Sequence, residues 1–106
     1  MADLAFRHIT WQSPESDKQK ALDFLEDYPW STKSRLEKPW DDEVFGIIGA
    51  FDGDRLVGTI SYTISARGQG ILSQVFVDEA YRGRGLATRL IDENIATYRK
   101  HGARAV

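Results

Sequence analysis

Apolar and polar positions alternate imperfectly from Leu4 through Arg7 to Ile9, which predicts a short first strand over 4–10. Ser13-Pro14-Glu15 then reads as a helix start. Serine caps, proline takes the first helical position and acid fills the first turn. Ala21, Leu22, Leu25 and Tyr28 recur at helical spacing, and Pro29 is the predicted stop. The residue before a proline is pushed out of the α region. Ser31-Thr32 predicts the cap of a second, short helix through Leu36, closed by Pro39.

From Val44 the period changes. Val44 to Phe51, Leu56 to Ile64 and Ile71 to Val77 read as three strands. The turns Asp52-Gly53-Asp54 and Arg67-Gly68-Gln69-Gly70 join them into an antiparallel meander. After Asp78 the period is helical again: Ala87, Ile91, Ile95 and Tyr98 form a stripe with Leu86 and Leu90 alongside. Arg99-Lys100 suit the negative end of that helix, and Gly102 is the expected stop. Ala103 to Val106 opens another strand, predicted to lie parallel to its predecessor by a right-handed crossover. The fold class is α+β, a mixed and mainly antiparallel sheet with flanking helices. At 106 residues, with 42% hydrophobic and 28% charged positions, it is one domain, 1–106, with one core.

Composition removes several kinds of chemistry. There is no cysteine, so disulfides, thiolate metal sites and cysteine nucleophiles are excluded together. His8 and His101 have no partner at metal-ligand spacing, so no metal is expected. A net charge of −2 argues against nucleic acid as the main partner. No apolar run is long enough for a membrane span, and no secretory leader is visible. These features predict a cytoplasmic protein.

The chemistry concentrates where a strand meets a helix, from Val75-Phe76-Val77-Asp78 to Arg82-Gly83-Arg84-Gly85-Leu86-Ala87-Thr88. Helix N-termini present amide groups without intrahelical partners and about half a positive charge. Glycines remove the side chains that would hold a phosphate away from those amides. Arg82 and Arg84 add charge nearby. The segment therefore reads as a site for phosphate or pyrophosphate, the bland reading being a turn with solvated arginines. A Walker A loop needs Lys-Ser/Thr after its last glycine, and none is present. The dinucleotide fingerprint needs a third glycine or alanine where Thr88 stands.

The pattern Gln/Arg-x-x-Gly-x-Gly/Ala, here Arg82-Gly83-Arg84-Gly85-Leu86-Ala87, resembles the GNAT family of N-acetyltransferases. The strand end before it, Tyr81 and the predicted element order are similar as well, from about Leu4 to Val106. The resemblance implies acetyl-CoA as co-substrate, with its pyrophosphate on the amides of Arg82, Gly83, Arg84, Gly85, Leu86, Ala87 and Thr88. It implies a pantetheine arm along the strand, on the backbone of Val75 and Val77 with Phe76 between them. The reaction implied is direct transfer of an acetyl group to a primary amine, on a small molecule or a protein.

The sequence departs from the family in two respects. The family's fold continues with a fifth strand, a fourth helix and two closing strands, so a C-terminally truncated version is expected here. The helix beyond carries the tyrosine acid of the family, and Ile71 stands where some members have a glutamate base. No catalytic acid or base is assigned. Three explanations stand side by side: a fragment of a longer protein, a minimal member, or a second copy that completes the fold, and an unfinished sheet favours association into a homo-oligomer. A non-catalytic acyl-CoA-binding or interaction module is the alternative function. Trp30 and Trp40 are candidates for an acceptor pocket or for packing. Asp41-Asp42-Glu43 is a candidate attractor of a cationic amine or a solvated loop.

Overall fold

The computed structural model describes residues 4–26, 28, 30–71 and 75–102. In chain order these form β1 (Ala5–Ile9), α1 (Glu15–Leu25), α2 (Trp30–Glu37), β2 (Glu43–Asp52) and β3 (Arg55–Ser65). Then come β4 (Gly70–Ile71), β5 (Phe76–Val77), a 3-10 turn at Glu79–Tyr81 and α3 (Leu86–Lys100). The sheet runs β1-β2-β3, with β4 and β5 both on the far side of β3. All described pairings are antiparallel. The sheet with flanking helices is the predicted fold class; the parallel strand expected from Ala103 lies outside the described residues.

Several boundaries differ from the sequence reading. Ser13 does not cap α1. Its hydroxyl accepts from the Thr10 N–H at 2.9 Å and donates to the His8 carbonyl at 3.4 Å. Pro14 takes the cap position instead, and its carbonyl accepts from Asp17 and Lys18 at 3.0 and 3.2 Å. The helix also ends sooner than proline required. Glu26 turns to φ 53°, and its N–H donates to the Leu22 carbonyl at 3.2 Å, so Tyr28 lies beyond the helix. Trp30, placed before the second helix by the capping argument, is its first residue.

The strand expected over 71–77 forms two short ladders. Ile71 faces Thr63, while Phe76 faces Thr59. Residues 72–74, between the two ladders, lie outside the described residues.

The long β2 and β3 strands carry the core because neighbouring residues point to opposite faces. Ile48, Ala50, Ile60, Tyr62 and Ile64 pack with Leu86, Leu90 and Tyr98 of α3. Ile47, Phe51, Leu56 and Ile9 pack with Ala21 of α1 and Leu36 of α2. Helices therefore cover both faces. The buried stripe of α3 is Leu86, Leu90, Asn94, Thr97 and Tyr98, whereas Ile91 and Ile95 are exposed. The sequence reading had put those isoleucines inward. Polar Asn94 and Thr97 hid the true stripe. Gly58 explains the seating: a Cβ there would lie 3.1 Å from Leu90 and 3.2 Å from Leu86. Bare backbone lets α3 press on β3, and that sets the helix N-terminus beside β5.

Candidate functional site

The loop from β5 to α3 is pinned at several points. The Asp78 carboxylate accepts the Ala80 N–H at 3.0 Å and an Arg55 guanidinium N–H at 2.8 Å. The first of these, helped by Arg55, holds its carboxyl below the usual range despite some desolvation. The Tyr81 hydroxyl donates to the Asp52 carboxylate, which pushes the phenol pKa up. Asp52 and Arg55 flank the β2–β3 turn, so that hairpin fixes the loop.

Beyond Tyr81 the loop turns on two glycines. Gly83 has φ 77° and Gly85 has φ 79°, the left-handed region that side chains disfavour. A Cβ at either would meet nothing within 4 Å. Crowding therefore does not select glycine here; backbone conformation does, and open space is left over the helix end. Gly85 is the N-cap of α3 and no side chain caps that helix. The first-turn amides of a 15-residue helix thus face this space with the positive end of its dipole.

β5 supplies the adjoining wall. The Asp78 N–H donates to the Val57 carbonyl at 2.8 Å, on the β3 side. Backbone groups alternate along a strand, so those of Val77 point to the other edge, which no described strand pairs. There the Val77 carbonyl accepts from Arg82 Nε at 3.2 Å, leaving the Val77 N–H as the edge donor.

Loop, strand and helix end enclose an open cleft of about 990 Å³. Nine of the ten residues marked from sequence line it: Val75, Phe76 and Val77 on the strand, and Arg82, Gly83, Gly85, Leu86, Ala87 and Thr88 around the helix start. Arg84 is the exception; its guanidinium lies 5.8 Å from the Tyr81 ring centre and outside the cleft lining. The sequence reading missed Phe24, Leu25 and Glu26, which close the cleft from the end of α1. Phe24 and Leu25 are the last two residues of α1 and Glu26 is its C-cap, so the helix end forms this wall.

A second pocket of about 420 Å³ adjoins the first on the α1–α2 face, and the two share Leu25 and Phe76. Its floor is the hydroxyl row Thr59, Ser61 and Thr63 on β3, with Phe45 and Ile47 beside it. Its roof is Ser31, Thr32 and Arg35 of α2, with Tyr28. The Thr59 hydroxyl is buried without a hydrogen-bond partner. Arg35 is paired with Glu43 through two nitrogens, and its guanidinium stacks 4.4 Å from the Trp40 ring centre and 5.0 Å from that of Phe45.

Trp30, Trp40, Asp41 and Asp42 do not line this pocket. Trp40 is half-buried, its indole N–H donating to Ser34 at 3.2 Å, whereas Trp30 is 76% exposed. On the opposite face His8 Nδ1 lies 3.3 Å from the Tyr62 hydroxyl, and the Tyr62 ring stacks on His101. Among the described residues no cluster of three or more histidines and carboxylates is poised for a metal. No described helix is long and apolar enough to cross a membrane.

Comparison with known proteins follows the same lines. The model of the acetyltransferase (GNAT) family matches residues 5–106. Among solved structures, the chain is similar to a GNAT-family protein from Desulfovibrio desulfuricans, with a TM-score of 0.75 and 18% identity, over 97% of this chain and 72% of that one. It is similar to AAC(6')-Iy in complex with a bisubstrate analogue, CoA-S-monomethyl-acetylneamine, with a TM-score of 0.68 and 17% identity, over 98% and 77%. It is also similar to an aminoglycoside acetyltransferase from an uncultured soil metagenomic sample in complex with sisomicin, with a TM-score of 0.70 and 15% identity, over 97% and 74%. At such identities the likeness shows the fold. Comparison with curated protein sequences finds no match.

Proposed function

The chain belongs to the acetyltransferase (GNAT) family, and from that premise we propose that it transfers an acetyl group from acetyl-CoA to a primary amine by direct attack. The observation that carries the proposal is the cleft that joins the open edge of β5 to the uncapped start of α3. Its residues fit the co-substrate. The space above Gly83 and Gly85 admits a pyrophosphate, and the amides of residues 86–88 with the Arg82 charge offer it donors. The Val77 N–H is placed to hold an extended arm as an added strand would be held. Arg84, outside the cleft, contributes only long-range charge.

Bound there, acetyl-CoA supplies an acetyl group on sulfur, which passes to the acceptor nitrogen as the C–S bond breaks and the thiol leaves with a proton. Phe76 and Leu25 stand at the junction of the two pockets, and they set where the thioester meets the amine. The second pocket orients the acceptor, which lowers the entropic part of the barrier. No carboxylate or histidine is among the described residues lining that pocket, and the amine proton passes to water or to a side chain beyond that lining. This last observation also favours a second reading, a non-catalytic acyl-CoA-binding module.

Calorimetric titration of acetyl-CoA into the purified chain tests the site, with Gly85→Glu as control. The parent binds and the variant does not, because its carboxylate occupies the pyrophosphate space. Release of free thiol on adding an amine then separates an enzyme from a binding module. A folded parent that fails to bind acetyl-CoA overturns both readings.

A further inference from the structure

Resting on that reading, we infer that the acceptor is a small hydroxylated monoamine and not a polycation. The second pocket has the chemistry of such a molecule. Three hydroxyls stand in a row along one face of β3, at Thr59, Ser61 and Thr63, and Ser31 and Thr32 face them from α2. Alternate residues of a strand are about 6.6–6.8 Å apart, a spacing that polar groups on a short polyol chain can span. Thr59 adds a separate indication: its hydroxyl is buried and has no hydrogen-bond partner among the described residues. Such a group is costly unless something bonds to it. Thr59 faces Phe76 across the β3–β5 ladder, so it sits at the junction where the two pockets meet.

Charge argues in the same direction. Among the described residues lining this pocket there is no Asp, Glu, Lys or His. The charged side chain among them, Arg35, is already matched by Glu43, so the described wall is net neutral. A molecule with several ammonium groups needs carboxylates to replace lost water, because an unpaired charge is expensive to bury. Asp41 and Asp42, the nearby free acids of the sequence, do not reach the pocket. A volume of about 420 Å³ suits a single small ligand.

The test compares three amines, each with acetyl-CoA: glucamine, hexylamine of equal chain length without hydroxyls, and sisomicin. Binding is followed by shifts of the backbone amide signals of Ser61 and Thr63 in the two-dimensional NMR spectrum, and turnover by thiol release. Glucamine is expected to shift those signals and to be favoured over both others by about tenfold or more. Thr63→Val is expected to reduce glucamine binding while leaving hexylamine binding unchanged. Glucamine that shifts the β3 signals without releasing thiol upholds the pocket's preference for a hydroxylated monoamine as ligand, but removes the transferase reading and with it the role of acceptor. Preference for sisomicin or hexylamine, or an undisturbed β3 with glucamine at saturating acetyl-CoA, overturns the inference even when thiol is released.

Discussion

Single residues carry constraints that the sequence only partly discloses. Gly83 and Gly85 are legible as glycines of a turn into a helix, since a strand, two glycines and a helical period announce them. Gly46 is not legible. A Cβ there would lie 2.2 Å from the Tyr62 hydroxyl oxygen and 2.3 Å from its ring carbon, a contact created by the β2–β3 register. Tyr62 is buried and its ring lies between His8 and His101, so it has little room to yield. Gly46→Ala is expected to cost about 1–3 kcal/mol in urea unfolding, the usual range for overpacking. His8 carries a pH dependence. Burial lowers its pKa, Glu93 opposes that, and Lys100 and His101 add to it. A folded pKa below the unfolded one means that the unfolded chain binds more protons in between. The His8 contribution is therefore fully present above the unfolded value of about 6.5 and is lost as pH falls through the lower folded value. His8→Gln is expected to flatten the slope of stability against pH just below that value, measured by urea midpoints across the range.

Elements depend on one another in ways a linear pattern cannot show. The two long strands and the last helix follow from their periods because long β-branched runs and a helical repeat of apolar residues are strong signals, whereas the strand expected over 71–77 is described only at its two ends. The end of α1 departs from its pattern through a local turn, in which Glu26 takes a positive φ and bonds back to Leu22, whereas the inward face of α3 follows from packing on β3. Asn94 and Thr97 are buried in α3 while Ile91 and Ile95 are exposed, and the bare backbone at Gly58 leaves room for Leu86 and Leu90. Leu90 is fully buried at that contact. Leu90→Ala is expected to cost about 2–5 kcal/mol. It should also weaken acetyl-CoA binding, since the helix that bears the amides would sit less firmly on β3. A variant with unchanged unfolding midpoint and unchanged affinity would show that the helix is positioned by its loop alone.

For the molecule as a whole, the cleft lies where strand edge, helix start and the end of α1 converge. The first two are adjacent in sequence, so that half of the site was readable. The wall from Phe24 to Glu26 and the whole of the second pocket are assembled from segments up to about fifty residues apart, and nothing local marks them. A ligand that bridges such segments stabilises the folded state by mass action. Acetyl-CoA at about one hundred times its dissociation constant should add about 2.7 kcal/mol, read as a rise in melting temperature. Gly85→Glu should show no such rise.

The bond from Arg82 Nε to the Val77 carbonyl has a consequence for solubility. An uncovered strand edge is a template on which further chains stack, and proteins that leave one open risk fibrils. Here a cation shields the outward acceptor of β5 and puts charge beside the outward donor. Among the described residues no strand covers this side of β5, and the guanidinium seated there opposes the copy-to-copy pairing that the sequence predicts.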